Sequence, residues 1–186
     1  MRGPNWRWVA LAAASGPVLW VSRRSLCRPD AHGFYRLFAF EAILGLVALN
    51  SPSWFRDVRS PRQLASWTLL LASASLAAHG FHLLRKVGRP DPSISDPARL
   101  GLEKTTRLVR TGAYRYIRHP LYASLLSLAC GAFLKVPSSI GATLATAATG
   151  ALYLTARVEE RENLRTFGGE YAEYARATWM FVPFVL

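Results

Sequence analysis

Cysteine, lysine and acidic residues are scarce in this 186-residue chain. Its two cysteines, Cys27 and Cys130, form no CxxC pair and no Cys/His cluster, which excludes a disulfide framework and a structural zinc site and predicts two free thiols. Only 3 of its 23 basic residues are lysine, and 11 acidic residues leave a net charge of +12. Charged residues make up 18% of the chain and apolar residues 51%, whereas soluble domains carry about 25% charge. We therefore expect neither a soluble nucleic-acid-binding protein nor a disordered basic tail.

Long apolar runs separate the blocks of arginine, and this arrangement is typical of a polytopic membrane protein whose loops hold the charge. A length of 186 residues suits one domain. Crossing a bilayer takes about 20 mostly apolar residues. Four runs are predicted to cross: Phe34–Phe55, Gln63–Leu84, Pro120–Leu134 and Val136–Ala156.

A fifth run, Trp8–Ser22, has 15 residues and is interrupted by Gly16-Pro17, so it either crosses the bilayer or lies at its surface. A cleaved signal peptide is the alternative, but Arg23-Arg24 follows the run instead of a small-residue cleavage site. The basic segment Gly88–Arg118 is expected to lie in the cytosol, and two further crossings return the C-terminal tail to the same side. We divide the domain into N-terminal helices with a proline-rich linker (residues 1–98) and a C-terminal region (99–186).

The segment Leu108–Tyr122 places aromatic, basic and histidine side chains directly before an apolar run. Pro120 suits the first turn of a helix, where its missing N–H is not needed. The N-terminus of that helix offers free N–H groups and a partial positive charge to an anionic ligand group. Tyr114, Tyr116 and Tyr122 add faces that can stack on a base. The same residue types also anchor proteins at membrane interfaces, and the residues alone leave both interpretations open.

A second polar segment, Arg157–Tyr174, follows the last apolar run. Five of the eleven acidic residues lie between Glu159 and Glu173. A carboxylate just beyond a membrane span could hold a ribose or a cationic centre. The alternative is that the first three glutamates pair with neighbouring arginines on a solvated helix, and spacing alone favours this alternative.

Together the two segments resemble the integral-membrane methyltransferases, which include the isoprenylcysteine carboxyl methyltransferases and the phospholipid N-methyltransferases. The resemblance rests on LVxxGxYxYxRHPxY, one helical hairpin, and then EE…FGxxYxxY, over roughly residues 99 to 184. It implies S-adenosylmethionine as the cofactor, bound at the cytosolic mouth of the C-terminal helices. It implies the following cofactor-binding residues: Thr106, Arg107, Leu108, Val109, Tyr114, His119, Pro120, Leu121, Tyr122 and Glu159.

The substrate half of the resemblance is weaker and leaves the methyl acceptor unassigned. This chain has Thr155 where the prenylcysteine enzymes carry an arginine four residues before the glutamate, and their RVPxxxP tail is altered here. The GxG of the phospholipid enzymes is missing from the run Gln63–Leu84. We expect a lipid-like or membrane-embedded acceptor: a prenylcysteine-type carboxylate, a phospholipid amine or a small thiol. Arg157 is the expected acceptor-orienting cation, and Glu160 is the carboxylate expected to take a proton from a neutral amine.

Two histidines, His79 and His82, lie three residues apart within an expected span, where polar residues are often functional. Glu41 is the only acidic residue in the upstream runs, so we expect hydrogen bonds between helices and no metal site.

The sequence thus predicts an all-α, polytopic transmembrane bundle of four to five spans with methyltransferase activity. One alternative is an NADPH-dependent reductase similar to the sterol enzymes, whose chains are much longer and lack the EE…FGxxYxxY tail. The other is a non-enzymatic membrane protein whose arginine blocks bind anionic membrane lipids. The sequence does not decide the oligomeric state.

Overall fold

The computed structural model describes residues 6–91, 93 and 105–183. Within these ranges the chain forms six α-helices and two isolated β-bridges, with no strand. The helices are α1 (Trp6–Ser22), α2 (His32–Asn50), α3 (Pro61–Lys86), α4 (Pro120–Lys135), α5 (Ser139–Phe167) and α6 (Gly169–Ala177). The prediction of an all-α fold is confirmed.

Local sequence signals explain where the long helices begin. The Ser60 hydroxyl accepts a hydrogen bond from the backbone N–H of Gln63 at the start of α3, and Ser138 does the same for Gly141 at the start of α5. These serines satisfy N–H groups that the first helical turn leaves free. α4 begins at Pro120, as the sequence predicts.

Among the described residues, two stretches are long and apolar enough to cross a membrane: His32–Ser53, which is α2 with the short 3₁₀ turn after it, and α3. They coincide with the expected runs Phe34–Phe55 and Gln63–Leu84. The run Pro120–Leu134 lies in α4, which is apolar but has only 16 residues, and Val136–Ala156 lies mostly in α5. Two helices therefore pass this test, and a count of four to five spans stays a prediction.

Small side chains form much of the hydrophobic core. α3 packs most extensively on α4, and α2 on α5. Ala39, Ala132 and Ala148, from three different helices, are fully buried. Alanine at such positions lets helix backbones approach closely, which favours packing between helices in a membrane.

Polar side chains donate hydrogen bonds to the free backbone carbonyls at the C-terminal end of α4, which is the end opposite the RHPxY motif. Asn50 donates to the carbonyl of Ala132 (2.8 Å), and Gln63 donates to the carbonyl of Lys135 (3.3 Å). These carbonyls belong to the last helical turn, which has no partners within the helix. The buried Lys135 ammonium in turn donates to Gln63 Oε1 (3.0 Å) and lies 3.6 Å from the centre of the Trp67 ring.

The proline-rich linker is described only at its start, where Pro90 forms an antiparallel bridge with Thr105. Most of the linker, and the boundary expected between residues 98 and 99, lie outside the described residues. Both cysteines are free and exposed, as expected.

Candidate functional site

A cavity lies at the N-terminal end of α4, where the two motif segments meet. The end of α3, the loop 105–109, α4, the last third of α5 and α6 all contribute to its wall. Its lining comprises Leu84, Thr105, Arg107, Leu108, Val109, Tyr114, Arg118, His119, Leu121, Tyr122, Glu159, Asn163, Phe167, Tyr171 and Tyr174. The fold therefore joins segments that are about 40 residues apart in the sequence.

One carboxylate, one imidazole and one phenol form the polar centre of this cavity. The Tyr122 hydroxyl donates to Glu159 Oε2 at 2.5 Å. The His119 ring is buried, stacks on the Tyr122 ring with 5.4 Å between centroids, and places Nδ1 3.9 Å from the same Glu159 oxygen. Tyr122 thus fixes the Glu159 carboxylate, which can accept hydrogen bonds from ligand hydroxyls or face a cationic group.

The neighbouring carboxylate, Glu160, lies behind the cavity wall and does not line it. Its Oε1 accepts a 2.7 Å hydrogen bond from Arg118 Nε and lies 3.5 Å from His119 Nε2. Burial alone would raise the pKa of Glu160, but interactions with His119 and Arg118 outweigh burial and hold that pKa below its ordinary value of 4.5. Glu160 is therefore a carboxylate anion at neutral pH.

The first three glutamates of the second motif contact three different parts of the fold. Glu159 meets Tyr122 and Glu160 meets Arg118, while Glu162 accepts from the ring and the backbone N–H of His32 at the start of α2 (2.8 and 3.2 Å). The alternative that these glutamates only pair with neighbouring arginines on a solvated helix is wrong. Spacing could not reveal this, because the partners come from distant segments.

Two tyrosines of α6, Tyr171 and Tyr174, line the cavity. The buried Tyr174 hydroxyl donates to the carbonyl of Tyr114 at 2.7 Å. This bond connects α6 to the 3₁₀ turn Gly112–Arg115, which contains the GxY motif and is called the GxY turn below. Burial raises the pKa of both Tyr171 and Tyr174, and the charges of Glu160 and Glu159 raise that of Tyr171 further. Both hydroxyls stay protonated, and the Tyr174 hydroxyl can therefore keep its hydrogen bond to Tyr114.

The GxY turn is held from α3 by a histidine that the sequence singled out. His79 Nε2 accepts a 3.2 Å hydrogen bond from the backbone N–H of Ala113, next to Gly112, whose φ is +59°. This bond joins α3 to the 3₁₀ turn Gly112–Arg115 and not to another α-helix, so the hydrogen bonds between helices that we expected for His79 and His82 stay a prediction. In the described part of the chain, no group of three or more metal-ligating side chains occurs.

Eight of the ten expected cofactor-binding residues line the cavity: Arg107, Leu108, Val109, Tyr114, His119, Leu121, Tyr122 and Glu159. The other two do not line it. Thr106 is exposed and donates to the carbonyl of Arg89, and Pro120 is buried as the first residue of α4. Of the two expected catalytic residues, Arg157 is exposed outside the cavity and Glu160 lies behind its wall. All twelve assignments stay predictions.

Five polar lining residues were not assigned to the site from the sequence: Thr105, Arg118, Asn163, Tyr171 and Tyr174. Tyr171 and Tyr174 are the two tyrosines of FGxxYxxY, so the motif itself marked them. Asn163 follows Glu159 by four residues, and this spacing places both on one face of α5.

Residues 97–165 match the model of the isoprenylcysteine carboxyl methyltransferase (ICMT) family. The expected resemblance to this family is confirmed. The ICMT match contains the polar centre of the cavity, namely His119, Tyr122 and Glu159, whereas α1 to α3 and α6 lie outside it. No curated protein and no solved structure matches the chain.

Proposed function

We propose that the chain is an integral-membrane methyltransferase that uses S-adenosylmethionine and acts on a lipid-like or membrane-presented acceptor. The observation that carries the proposal is the cavity at the start of α4. Its polar centre of His119, Tyr122 and Glu159 falls within the stretch that matches the ICMT family. The motif residues thus lie around one cavity, instead of being spread over the surface as plain interface anchors would be.

The chemistry of the lining fits the parts of S-adenosylmethionine. Glu159 offers acceptor oxygens for ribose hydroxyls, and the tyrosine rings offer faces for the adenine base. Arg107 is exposed at the wall and provides a cation for the carboxylate of the cofactor. When bound, S-adenosylmethionine supplies an activated methyl group, so the protein has chiefly to orient the partners and exclude water.

The geometry of the helices supports a membrane location with all motif residues on one side. α3 ends at the cavity, α4 begins there, and α5 runs back to it. At 1.5 Å per residue, the 29 residues of α5 span about 43 Å, which exceeds the roughly 30 Å hydrocarbon core of a bilayer. We propose that the last third of α5 projects into the cytosol and carries Glu159 there.

An acceptor that approaches from the lipid would meet an apolar groove between α4 and α5. Tyr153 lines this groove, and Arg157 follows one helical turn later on the same face of α5. Arg157 therefore stays our prediction for the cation that orients an acceptor, in a place where it would not contact the cofactor.

Calorimetric titration of S-adenosylmethionine into the detergent-purified protein tests the proposal. We expect micromolar binding by the wild type and its loss in Glu159→Ala, because that variant removes the acceptor oxygens at the polar centre. Glu173→Ala is the matched control, since Glu173 is exposed on α6 and does not line the cavity. A folded wild type that binds no S-adenosylmethionine contradicts the proposal, and NADPH is then the next ligand to titrate.

A further inference from the structure

The Arg118 side chain, at the start of the RHPxY motif, donates three hydrogen bonds. Its Nε donates to Glu160, and its Nη1 donates to the carbonyls of Ala175 and Thr178 at the end of α6. The side chain is only 14% exposed. The planar guanidinium presents donors in a fixed fork, so one residue can join α5 to the end of α6 in a way that lysine cannot.

The backbone around Arg118 pairs with the C-terminal segment. Trp179 N–H donates to the carbonyl of Tyr116 (3.0 Å), and the N–H groups of Arg118 and His119 donate to the carbonyls of Trp179 and Met180 (2.7 and 3.1 Å). These bonds hold the tail in register beside the residues that begin α4.

This register buries Phe181 at the back of the cofactor cavity. Its ring lies 6.1 Å from the His119 ring, on which Tyr122 also stacks. Phe181 also lines two apolar grooves, one between α3 and α4 and the other between α4 and α5. Among the described residues, no charged side chain lines either groove. Phe181 thus stands between a polar cavity and the two apolar grooves.

We propose that Arg118 is a positioning residue for the cofactor site: it fastens the segment Thr178–Phe181 to α5 and thereby holds Phe181 against His119. The inference rests on the proposed function and deepens it. It also assigns a different role to Glu160, whose Oε1 is engaged by Arg118 behind the cavity wall. Glu160 acts through Arg118 as a second positioning residue and does not touch the cofactor.

A double-mutant cycle on Arg118→Gln and Phe181→Ala tests this inference through S-adenosylmethionine affinity. Each single variant should raise the Kd about tenfold, as expected when a hydrogen-bonded charge or a packed ring is removed. The double variant should be no weaker than the weaker single variant, because both changes release the same segment. A residue that only stabilised the fold would leave the Kd of the folded variant unchanged. A residue that contacted the cofactor directly and independently would give effects that multiply.

Cleavage by trypsin after the exposed Arg176 provides a readout that does not depend on any ligand. Arg118→Gln should accelerate this cleavage about tenfold, since the bonds that hold the end of α6 are lost. Arg115→Gln is the matched control, because Arg115 is exposed on the neighbouring 3₁₀ turn and does not line the cavity. If Arg118→Gln fails to fold, Arg118→Lys takes its place and should accelerate the cleavage by less than tenfold, because lysine keeps the charge but lacks the guanidinium fork. Unchanged cleavage in that variant overturns the proposal.

The two proposals fail in different ways. A wild type that binds no S-adenosylmethionine overturns the proposed function, while the tryptic cleavage still tests the link between Arg118 and the tail. Unchanged cleavage in Arg118→Gln, or effects on the Kd that multiply in the double variant, overturn the positioning role of Arg118.

Discussion

Gly112, the glycine of the GxY turn, is the position where one added methyl group should do most damage to the site. The φ of Gly112 is +59°, in the left-handed region, and an alanine in this conformation would destabilise the folded state by about 1–2 kcal/mol. Its Cβ would lie 2.3 Å from His79 Nε2 and 2.7 Å from Leu83 Cδ1, closer than real Cβ contacts. The imidazole must therefore retreat by more than half an ångström, which breaks its bond to Ala113 N–H and costs about 1 kcal/mol more. We expect Gly112→Ala to lower the free energy of unfolding by about 2–3 kcal/mol.

Because Tyr114 lies in the same turn, two residues after Gly112, and lines the cavity, the same variant should also weaken S-adenosylmethionine binding. Denaturant titration in detergent measures the first effect, and calorimetry measures the second. Gly168→Ala is the matched control: its φ is +57°, but a Cβ there meets no atom within 4 Å. It should lose stability through backbone strain and keep its affinity. Equal stability and wild-type affinity in Gly112→Ala would refute the assigned contact between α3 and the GxY turn.

Three further outcomes follow from single contacts. Tyr122→Phe, which loses the 2.5 Å bond to Glu159, should raise the S-adenosylmethionine Kd by roughly ten- to a hundredfold in calorimetry, as the loss of a hydrogen bond to a charged group does. Lys135→Met should lower stability by about 1–3 kcal/mol through loss of the Gln63 bond and the Trp67 contact, yet leave the Kd unchanged, since it lies at the far end of α4. The pKa of Glu160 is lower in the folded chain than its ordinary 4.5, so its contribution to stability is present above that value and is lost as the pH falls through the folded-state pKa. Thermal midpoints recorded from neutral pH down to about pH 3 should therefore fall more steeply for the wild type than for Glu160→Gln; parallel curves would contradict the depressed pKa.

The positions of the helices could be predicted well from the sequence, because apolar runs and the residues that begin and end helices are local signals. Pro120 begins α4, as expected. Ser60 caps α3 and Ser138 caps α5. The number of membrane-spanning helices is less well determined by the sequence. α4 is apolar but short, and in the part of the chain that the structure describes, length together with apolarity identifies two stretches.

The motifs predicted which residues would lie at the site, but they did not predict the contacts between those residues and the rest of the fold. Tyr122 and Glu159 were expected to serve the same ligand, and they lie 2.5 Å apart. The link from Arg118 to the end of α6 was not predictable, because its acceptors there are the backbone carbonyls of Ala175 and Thr178. Because every residue has a backbone carbonyl, a hydrogen bond to a carbonyl requires no particular side chain at the acceptor position, and the sequence does not reveal it.

The three glutamates that open the second motif show how one helix can set the geometry of the whole site. Successive residues of an α-helix point about 100° apart, so Glu159, Glu160 and Glu162 face different directions from α5. Each direction meets a different segment: Tyr122 in α4, Arg118 before it, and His32 in α2. A single rigid helix that extends beyond the expected bilayer thus orients three elements through charge-assisted hydrogen bonds, which are stronger than neutral ones. Two of those contacts reach Tyr122 and Arg118, which line the cavity, and the third holds α2 against α5. A dense run of charge here therefore serves precise placement, whereas a merely solvated helix face would leave the three segments independent of one another.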